Sequence, residues 1–139
     1  MCDIDGLKFQ NDSLGHKAGD FLLVATSRLI KKCFRRSDVV ARIGGDEFAV
    51  LLPNTPDLIV EEGPSNRIRQ AVIEYISTNP ITPISLSVGW ATRNDSSKTM
   101  TEVFVEADNE MYREKKKNRE KIQDFLLSLP QNANKINNK

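Results

Sequence analysis

The amino-acid sequence predicts an α/β sandwich in which helices pack on one mixed sheet, in the order βαββαβ. Runs with a helical spacing of apolar residues alternate along the chain with short apolar and β-branched runs. Two of the β runs are close enough in sequence to form a hairpin. The length of 139 residues, with 39% hydrophobic and 28% charged residues, is typical of one globular domain.

The first predicted strand has almost nothing before Asp3, whereas strands average about 5–6 residues. We therefore expect this strand to be cut short at the N-terminus. A polar, glycine-punctuated loop is predicted from Asn11 to Asp20, and a helix from Asp20 to Phe34. The helix is indicated by apolar residues near one face of a 3.6-residue period, namely Leu22, Ala25, Leu29 and Phe34.

A β-hairpin follows this helix. Residues 39–43 and 48–52 are apolar, β-branched runs separated by Gly44-Gly45-Asp46-Glu47. The two glycines are expected to supply the positive φ angles of a tight turn.

A second helix is predicted over residues 67–76, with Gly63-Pro64-Ser65 as its start or as a break within it. Residues 84–90 then alternate between polar and apolar types, which predicts a strand with one buried face.

The last predicted helix begins near Thr99 and Glu102, which have the spacing of a capping box, and ends at the basic run 115–117. We assign residues 1–125 to the domain and residues 126–139 to a polar C-terminal tail.

Charge and cysteine content narrow the functional classes. Twenty basic and 19 acidic residues give a net charge of +1, which does not favour nucleic acid or a membrane surface as a partner. The two cysteines, Cys2 and Cys33, have no metal-binding or disulfide-framework spacing, so a cytoplasmic location is predicted. No apolar run approaches the roughly 20 residues of a membrane span.

Carboxylates are concentrated at two places. Asp3 and Asp5 flank Ile4 at the end of the first strand, where they could offer oxygen ligands to Mg²⁺ or be solvated loop carboxylates. Asp46 and Glu47 lie in the hairpin turn, either as a second part of such a site or as an ordinary solvated turn.

Polar and basic residues elsewhere suggest nucleotide binding. Asn11 and Asp20 could read the donor and acceptor edge of a purine, although Asp20 could instead cap the helix. Lys8, Lys115 and Arg119 could converge on phosphates or be surface charges. Likewise, an Arg35–Asp38 pair could be an exposed ion pair, contributing about 0–1 kcal/mol.

Several sequence blocks, taken in order, resemble the GGDEF domain of diguanylate cyclases over about residues 1–120. A single Gly-Gly-Asp-Glu-Phe string would be a weak signal, whereas the ordered set is specific. The blocks are Asp3-Ile4-Asp5-Gly6-Leu7-Lys8, Asn11-Asp12, Gly15-His16, Gly19-Asp20, Gly44-Gly45-Asp46-Glu47-Phe48, and Ser87-Val88-Gly89 with Ala107-Asp108, Met111-Tyr112, Lys115 and Arg119.

The resemblance implies a ferredoxin-like or nucleotide-cyclase-like fold that condenses two GTP molecules into cyclic di-GMP and pyrophosphate. One GTP would be held by each protomer of an antiparallel homodimer, with Mg²⁺, or alternatively Mn²⁺, as the cofactor. An upstream sensory or receiver domain is expected in the parent protein, and it could anchor that protein to a membrane. The resemblance also implies that a helix and most of the first strand are missing before Asp3.

The resemblance also implies roles for individual residues. Asp3, the Ile4 carbonyl and Asp46 would bind Mg²⁺, and Asp46 would accept the proton of the attacking ribose 3′-hydroxyl. Glu47 would support the metal site, and Lys8 would stabilise charge on the phosphates.

The remaining implied roles concern GTP and the product. Asn11 and Asp20 would read guanine, and Lys115 and Arg119 would hold the triphosphate. The family pattern also implies an RxxD inhibitory site for cyclic di-GMP at Arg35 and Asp38, with Arg67 as a second arginine of that site.

Three departures from the family pattern lie on the last helix. Asn118 stands where a glycine is usual, and Glu110 and Glu114 replace small residues, so this helix is expected to pack less tightly. The alternative to a cyclase is a module that binds GTP or senses cyclic di-GMP without turnover.

Overall fold

The computed structural model describes residues 1–53, 63–79 and 83–128, with the backbone alone for 121–128. This part of the chain contains four strands and four helices. In chain order they are β1 (Cys2–Ile4), α1 (Leu7–Leu14), α2 (His16–Lys32), β2 (Val39–Arg42), β3 (Glu47–Leu51), α3 (Pro64–Thr78), β4 (Leu86–Val88) and α4 (Met100–Ser128).

The strands form one sheet in the order β2-β3-β1-β4, and all three pairings are antiparallel. The α/β fold class and the βαββαβ order are confirmed, but the prediction of a mixed sheet is wrong. Helical crossovers join β1 to β2 and β3 to β4. In both cases another strand lies between the two connected strands. The two strands that run parallel to each other are therefore never neighbours in the sheet.

Strand β1 is the centre of the core despite its three residues. Cys2 pairs with Phe48 on one side and with Val88 on the other, and all of β1 is buried. The N-terminal amino group of Met1 donates to the Gly89 carbonyl at 2.7 Å, and the Gly89 amide donates back to Met1. These bonds extend the pairing of β1 and β4 by one residue.

The predicted loop at 11–20 is helical, which corrects the sequence interpretation. Only Gly15 separates α1 from α2, and its φ of 85° explains the abrupt change of direction. Asp20 therefore lies inside α2 and does not cap it. The polar composition misled the prediction because the outer faces of both helices are exposed to solvent.

Strand β4 is buried on both faces, whereas its alternating sequence predicted one buried face. Ser87 is fully buried between Leu86 and Val88. Its hydroxyl donates to Asp5 Oδ1 at 2.7 Å, which offsets the usual cost of burying a polar side chain.

The capping box at the start of α4 is confirmed. The Thr99 amide donates to Glu102 Oε2 at 2.7 Å, and the Glu102 amide donates to Thr99 Oγ1 at 3.2 Å. Helix α4 continues through the basic run 115–117 to Ser128, so the predicted end is wrong and the predicted tail begins as helix. Residues 129–139 of that tail lie outside the described residues.

Helix α3 begins at Pro64, directly after Gly63, which confirms the first of the two interpretations of that segment. Within the described ranges, no helix is long and apolar enough to cross a lipid bilayer.

Candidate active site

Strands β1 and β3 bring the two predicted carboxylate groups together. Asp3 is the cross-strand partner of Glu47, so both side chains project from the same face of the sheet. The Ile4 amide donates to the Asp46 carbonyl at 2.9 Å, which ties the hairpin turn to the end of β1. The structure therefore places Asp3, Ile4, Asp46 and Glu47 at one end of two neighbouring strands.

Arg42, which the sequence analysis missed, fixes the hairpin turn. Its guanidinium donates to the Gly44 carbonyl at 3.1 Å and to the Gly45 carbonyl at 2.8 Å. Neither glycine has a positive φ, so the predicted reason for their presence is wrong. At Gly44, an added Cβ would lie 2.5 Å from Glu47 Oε2, so the absent side chain leaves room for that carboxylate.

Asp3 is buried, and its two carboxylate oxygens differ. Oδ2 accepts a 2.7 Å hydrogen bond from Lys115 Nζ, and these groups form an ion pair. Oδ1 is buried and has no hydrogen-bond partner among the residues that the structure describes. An ionised oxygen left in this state normally has a ligand or a cation nearby.

Burial raises the pKa of Asp3. The hydrogen bond from Lys115 offsets part of this rise, and the neighbouring charges of Asp46 and Asp5 add to it. The pKa of Lys115 is also raised, because burial, which lowers it, is outweighed by the hydrogen bond to Asp3 and by the three carboxylates. The site therefore carries an excess of negative charge that one lysine does not neutralise.

Asp5 lies close enough to raise the pKa of Asp3, but both of its carboxylate oxygens hydrogen-bond to other side chains. Its two oxygens accept hydrogen bonds of 2.7 Å from the hydroxyls of Ser85 and Ser87. The Asn118 amide donates to Ser87 Oγ at 3.2 Å and, at a longer 3.4 Å, to Asp5. Asp5 thus joins the end of β1 to β4 and α4.

The predicted guanine-reading residues lie on the two N-terminal helices. The Asn11 side chain on α1 lies against Gly19 of α2, where an added Cβ would be 1.9 Å from Asn11 Oδ1. Asp20 follows Gly19 directly and is exposed. Gly19 therefore allows the two helices to approach closely enough to bring Asn11 next to the segment that carries Asp20.

Lys8 and Arg119 are exposed, on α1 and α4 respectively. Arg119 lies one helical turn beyond Lys115, on the same side of α4. The structure brings Lys115 to the carboxylates, while Lys8 and Arg119 reach into solvent.

The predicted inhibitory residues are only partly grouped. Asp38 Oδ2 accepts the Arg35 backbone amide at 2.8 Å, so Asp38 fixes a turn and does not pair with the Arg35 guanidinium. Arg35 and Asp38 line one cavity of about 870 Å³. Arg67 lines a different cavity and stacks over the Phe34 ring at 5.9 Å. Arg28 lines both cavities.

Helix α4 is packed directly on β4, contrary to the expectation of looser packing. At Gly89, an added Cβ would lie 2.1 Å from the Ala107 carbonyl and from the Met111 amide. The two glutamates that replace small residues also reach the strand: Glu110 accepts the Trp90 amide at 2.7 Å, and Glu114 accepts the Val88 amide at 2.9 Å.

The carboxylates of Asp3 and Asp46 could supply some of the oxygen ligands of Mg²⁺, but not all of them. Mg²⁺ prefers one or two carboxylates together with substrate phosphates and waters. Asp3 offers a buried oxygen without a partner, and Asp46 is close enough to raise the pKa of Asp3. In the part of the chain that the structure describes, no three His, Cys, Asp or Glu side chains form a complete metal cage. The residues thus suit an ion that also binds the substrate.

Comparison with known proteins identifies the family of this chain. The family model "Diguanylate cyclase, GGDEF domain" matches residues 1–121. The chain belongs to the GGDEF domain family. It is 33% identical over 132 residues to diguanylate cyclase A of Treponema denticola, and 34% identical over 122 residues to diguanylate cyclase DgcM of Escherichia coli. These alignments cover 94% and 88% of this chain, but 35% and 29% of those proteins.

Solved GGDEF domains have the same fold. The GGDEF domain of TpbB, or YfiN, from Pseudomonas aeruginosa has a TM-score of 0.74 at 35% identity, covering 84% of this chain and 69% of that one. The GGDEF domain of DgcB from Caulobacter crescentus, solved in complex with cyclic di-GMP, has a TM-score of 0.70 at 26% identity, covering 84% and 70%. The resemblance read from the ordered motifs is therefore confirmed, whereas the roles of individual residues stay predictions.

Proposed function

We propose that this GGDEF domain is the catalytic module of a diguanylate cyclase, which condenses two GTP molecules into cyclic di-GMP and pyrophosphate. The observation that carries the proposal is the buried Oδ1 of Asp3, which lies at the strand end next to Asp46 and has no hydrogen-bond partner within the described ranges. A chain that had lost the activity would not need to keep an ionisable group in this costly position. The cyclase names of its relatives support the same activity.

Asp3, the Ile4 carbonyl and Asp46 would hold Mg²⁺ or Mn²⁺, with support from Glu47. When bound, the metal supplies charge neutralisation for the triphosphate and lowers the pKa of the attacking hydroxyl. Asp46 accepts the proton of the ribose 3′-hydroxyl of one GTP. The 3′-oxygen then forms a bond to the α-phosphorus of the other GTP, and the bond to the pyrophosphate leaving group breaks.

The remaining site residues bind the substrate. Asn11 and Asp20 read the guanine edge, with the Asp20 carboxylate accepting from the base N–H donors. Lys8, Lys115 and Arg119 neutralise the phosphates. Lys115 Nζ donates to Asp3 Oδ2 at 2.7 Å, and we propose that it exchanges this carboxylate for a phosphate oxygen when GTP binds.

Each chain supplies one such set of residues, so we propose that two chains meet as a homodimer with one GTP each. We also propose an upstream sensory or receiver domain in the parent protein, because the family pattern implies one. The proposed cytoplasmic location rests on the cysteine content.

The test is incubation of the purified chain with GTP and Mg²⁺, with nucleotides resolved by ion-exchange chromatography. Asp46→Ala is expected to lower product formation by at least about 10²–10⁴-fold, the usual contribution of a positioned general base. Asp12→Ala removes an exposed carboxylate on α1 and serves as the matched control. Equal product from the Asp46 variant and the wild type would refute the assignment.

The alternative is a module that binds GTP or senses cyclic di-GMP without turnover. Calorimetric titration of the same proteins separates the two functions. GTP binding without product, even at high protein concentration, would favour the sensor.

We further propose that cyclic di-GMP inhibits the enzyme at Arg35 and Asp38, with Arg67 as a second arginine. Asp38 fixes the turn through a backbone amide, which leaves the exposed Arg35 guanidinium available to guanine or phosphate. Arg67 would have to bridge from its own cavity to that of Arg35.

Arg35→Ala is expected to raise the inhibition constant of cyclic di-GMP about tenfold or more, since it removes a charge-assisted hydrogen bond. The initial rate should be nearly unchanged. Arg36→Ala, at the adjacent exposed arginine, is the matched control. An inhibition curve identical to that of the wild type would remove Arg35 from the site.

A further inference from the structure

Glu110, Glu114 and Asn118 lie four residues apart on α4 and therefore form one stripe along the helix. We call these three residues the polar stripe. Each of them hydrogen-bonds the same segment of the sheet, in matching order. Glu110 accepts from the Trp90 amide, Glu114 accepts from the Val88 amide, and Asn118 donates to the Ser87 hydroxyl.

The strand that the polar stripe contacts is at the edge of the described sheet. On one side β4 pairs with β1, and the Gly89 amide points to that side, towards the Met1 carbonyl. The amides of Val88 and Trp90 alternate with it and point away from β1. Unpaired amides at a sheet edge attract other strands, and the two glutamates satisfy them.

The polar stripe coincides with the three departures from the family pattern on this helix. Small residues at 110 and 114 could not reach the strand amides. A glycine at 118 would favour the end of the helix, whereas Asn118 lies within a helix that continues to Ser128. Three separate departures thus form one continuous set of contacts.

We propose that the polar stripe is a positioning device, which fixes α4 along the outer edge of β4 and thereby holds Lys115 at Asp3. Lys115 follows Glu114 directly and lies one turn beyond Met111, which packs on Gly89. A shift of α4 along the strand would break both glutamate contacts and withdraw the Lys115 amino group from Asp3. The effect on GTP rests on the proposed function, in which Lys115 binds the triphosphate.

The first experiment follows amide hydrogen exchange in the whole chain, without nucleotide. Glu114→Ala is expected to accelerate exchange at Val88 at least tenfold, and Glu110→Ala to do so at Trp90. Glu114→Gln and Glu110→Gln keep an acceptor oxygen and should retain most of the protection.

Two control variants separate loss of the strand contacts from loss of any helix glutamate and from loss of the ion pair of Glu114. Glu120→Ala removes an exposed glutamate of the same helix that makes no hydrogen bond or ion pair with the described residues. Arg69→Ala removes only the exposed ion pair at 3.3 Å to Glu114. Neither should change exchange at Val88 or Trp90.

The second experiment measures GTP turnover. Glu114→Ala should raise the KM for GTP several-fold with a smaller change in kcat, and Glu114→Gln should restore the KM. An unchanged KM together with faster exchange at Val88 would overturn the link to Lys115. If the wild type has no activity, the exchange data still decide whether the polar stripe holds the strand.

Unchanged exchange in both alanine variants would overturn the proposal as a whole. If an alanine variant does not fold, folding of the matching glutamine variant supports the hydrogen-bond role. Failure of both variants to fold would contradict it, because the glutamine retains the acceptor.

Discussion

At the residue scale, the buried carboxylate of Asp3 lowers the stability of the folded chain at neutral pH. Asp3 is 2% exposed, its carboxylate has one ion pair, and one of its oxygens has no partner in the described part of the chain. Burial raises the pKa of Asp3 above its ordinary value of 3.8, so the folded chain holds this proton more tightly than the unfolded chain does. As pH rises through the interval between the two values, the folded state is destabilised relative to the unfolded state.

Replacement of this carboxylate is therefore expected to stabilise the fold at neutral pH. Asp3→Asn should raise the Tm at pH 7 in the absence of Mg²⁺, because the buried negative charge is removed while the amide oxygen still accepts from Lys115, whose partly exposed amino group keeps Asp46 and Asp5 as neighbouring charges. The gain should shrink as pH falls towards 3.8, where the wild-type group is protonated. Thermal melts at several pH values, with Asp12→Asn as the exposed control, measure the difference. A lower Tm for Asp3→Asn at pH 7 would contradict the interpretation.

At the scale of elements, the contact between β4 and α4 decides whether the site is assembled. Gly89 allows the strand to touch the helix backbone, Lys115 reaches β1 from the same helix, and Asn118 joins the network around Asp5. Helix α4 therefore links β1 and β4 through side chains in addition to their backbone pairing.

Gly89→Ala tests this contact. Its Cβ would lie 2.1 Å from two backbone atoms of α4, and a helix backbone cannot yield as a flexible side chain can. We expect a loss of at least about 1–3 kcal/mol in the free energy of unfolding, as for other overpacked sites. Gly45→Ala is the matched control, since neither glycine has a positive φ and open space surrounds Gly45. Urea denaturation compares them, and equal stability would show that α4 is not held where described.

At the scale of the whole molecule, one chain offers one set of the proposed substrate-binding residues, whereas the proposed reaction joins two GTP molecules. The chain spans about a third of the length of the named cyclases it matches. Under the proposed function, the isolated domain depends on chance encounters between protomers, each of which carries one nucleotide.

The specific activity of the isolated domain is therefore expected to rise with protein concentration and to level off once dimers predominate. Initial rates measured across a wide concentration range, alongside sedimentation of the same samples, test this expectation. A specific activity independent of concentration, in samples that sediment as monomers, would contradict the need for a second protomer.

Much of the architecture could be read from local patterns. The hairpin, helix α3 and the capping box at Thr99 each depend on residues that are close together in the sequence. The ordered motifs also identified the family and grouped Asp3 with Asp46. Polar composition misled the prediction at 11–20, because exposed helices and loops use the same residue types and a single glycine separates α1 from α2.

The tertiary structure alone decided how distant residues are partnered. Lys115 meets Asp3 across 112 positions, and Ser85 and Ser87 donate to the two oxygens of Asp5 across 80 and 82. The antiparallel sheet and the roles of Glu110, Glu114 and Asn118 likewise follow from where the crossovers place β1 and β4. Local sequence fixes the periodicity of an element, but the choice between a solvated charge and a buried partner depends on which elements pack together, and that is determined by the whole chain.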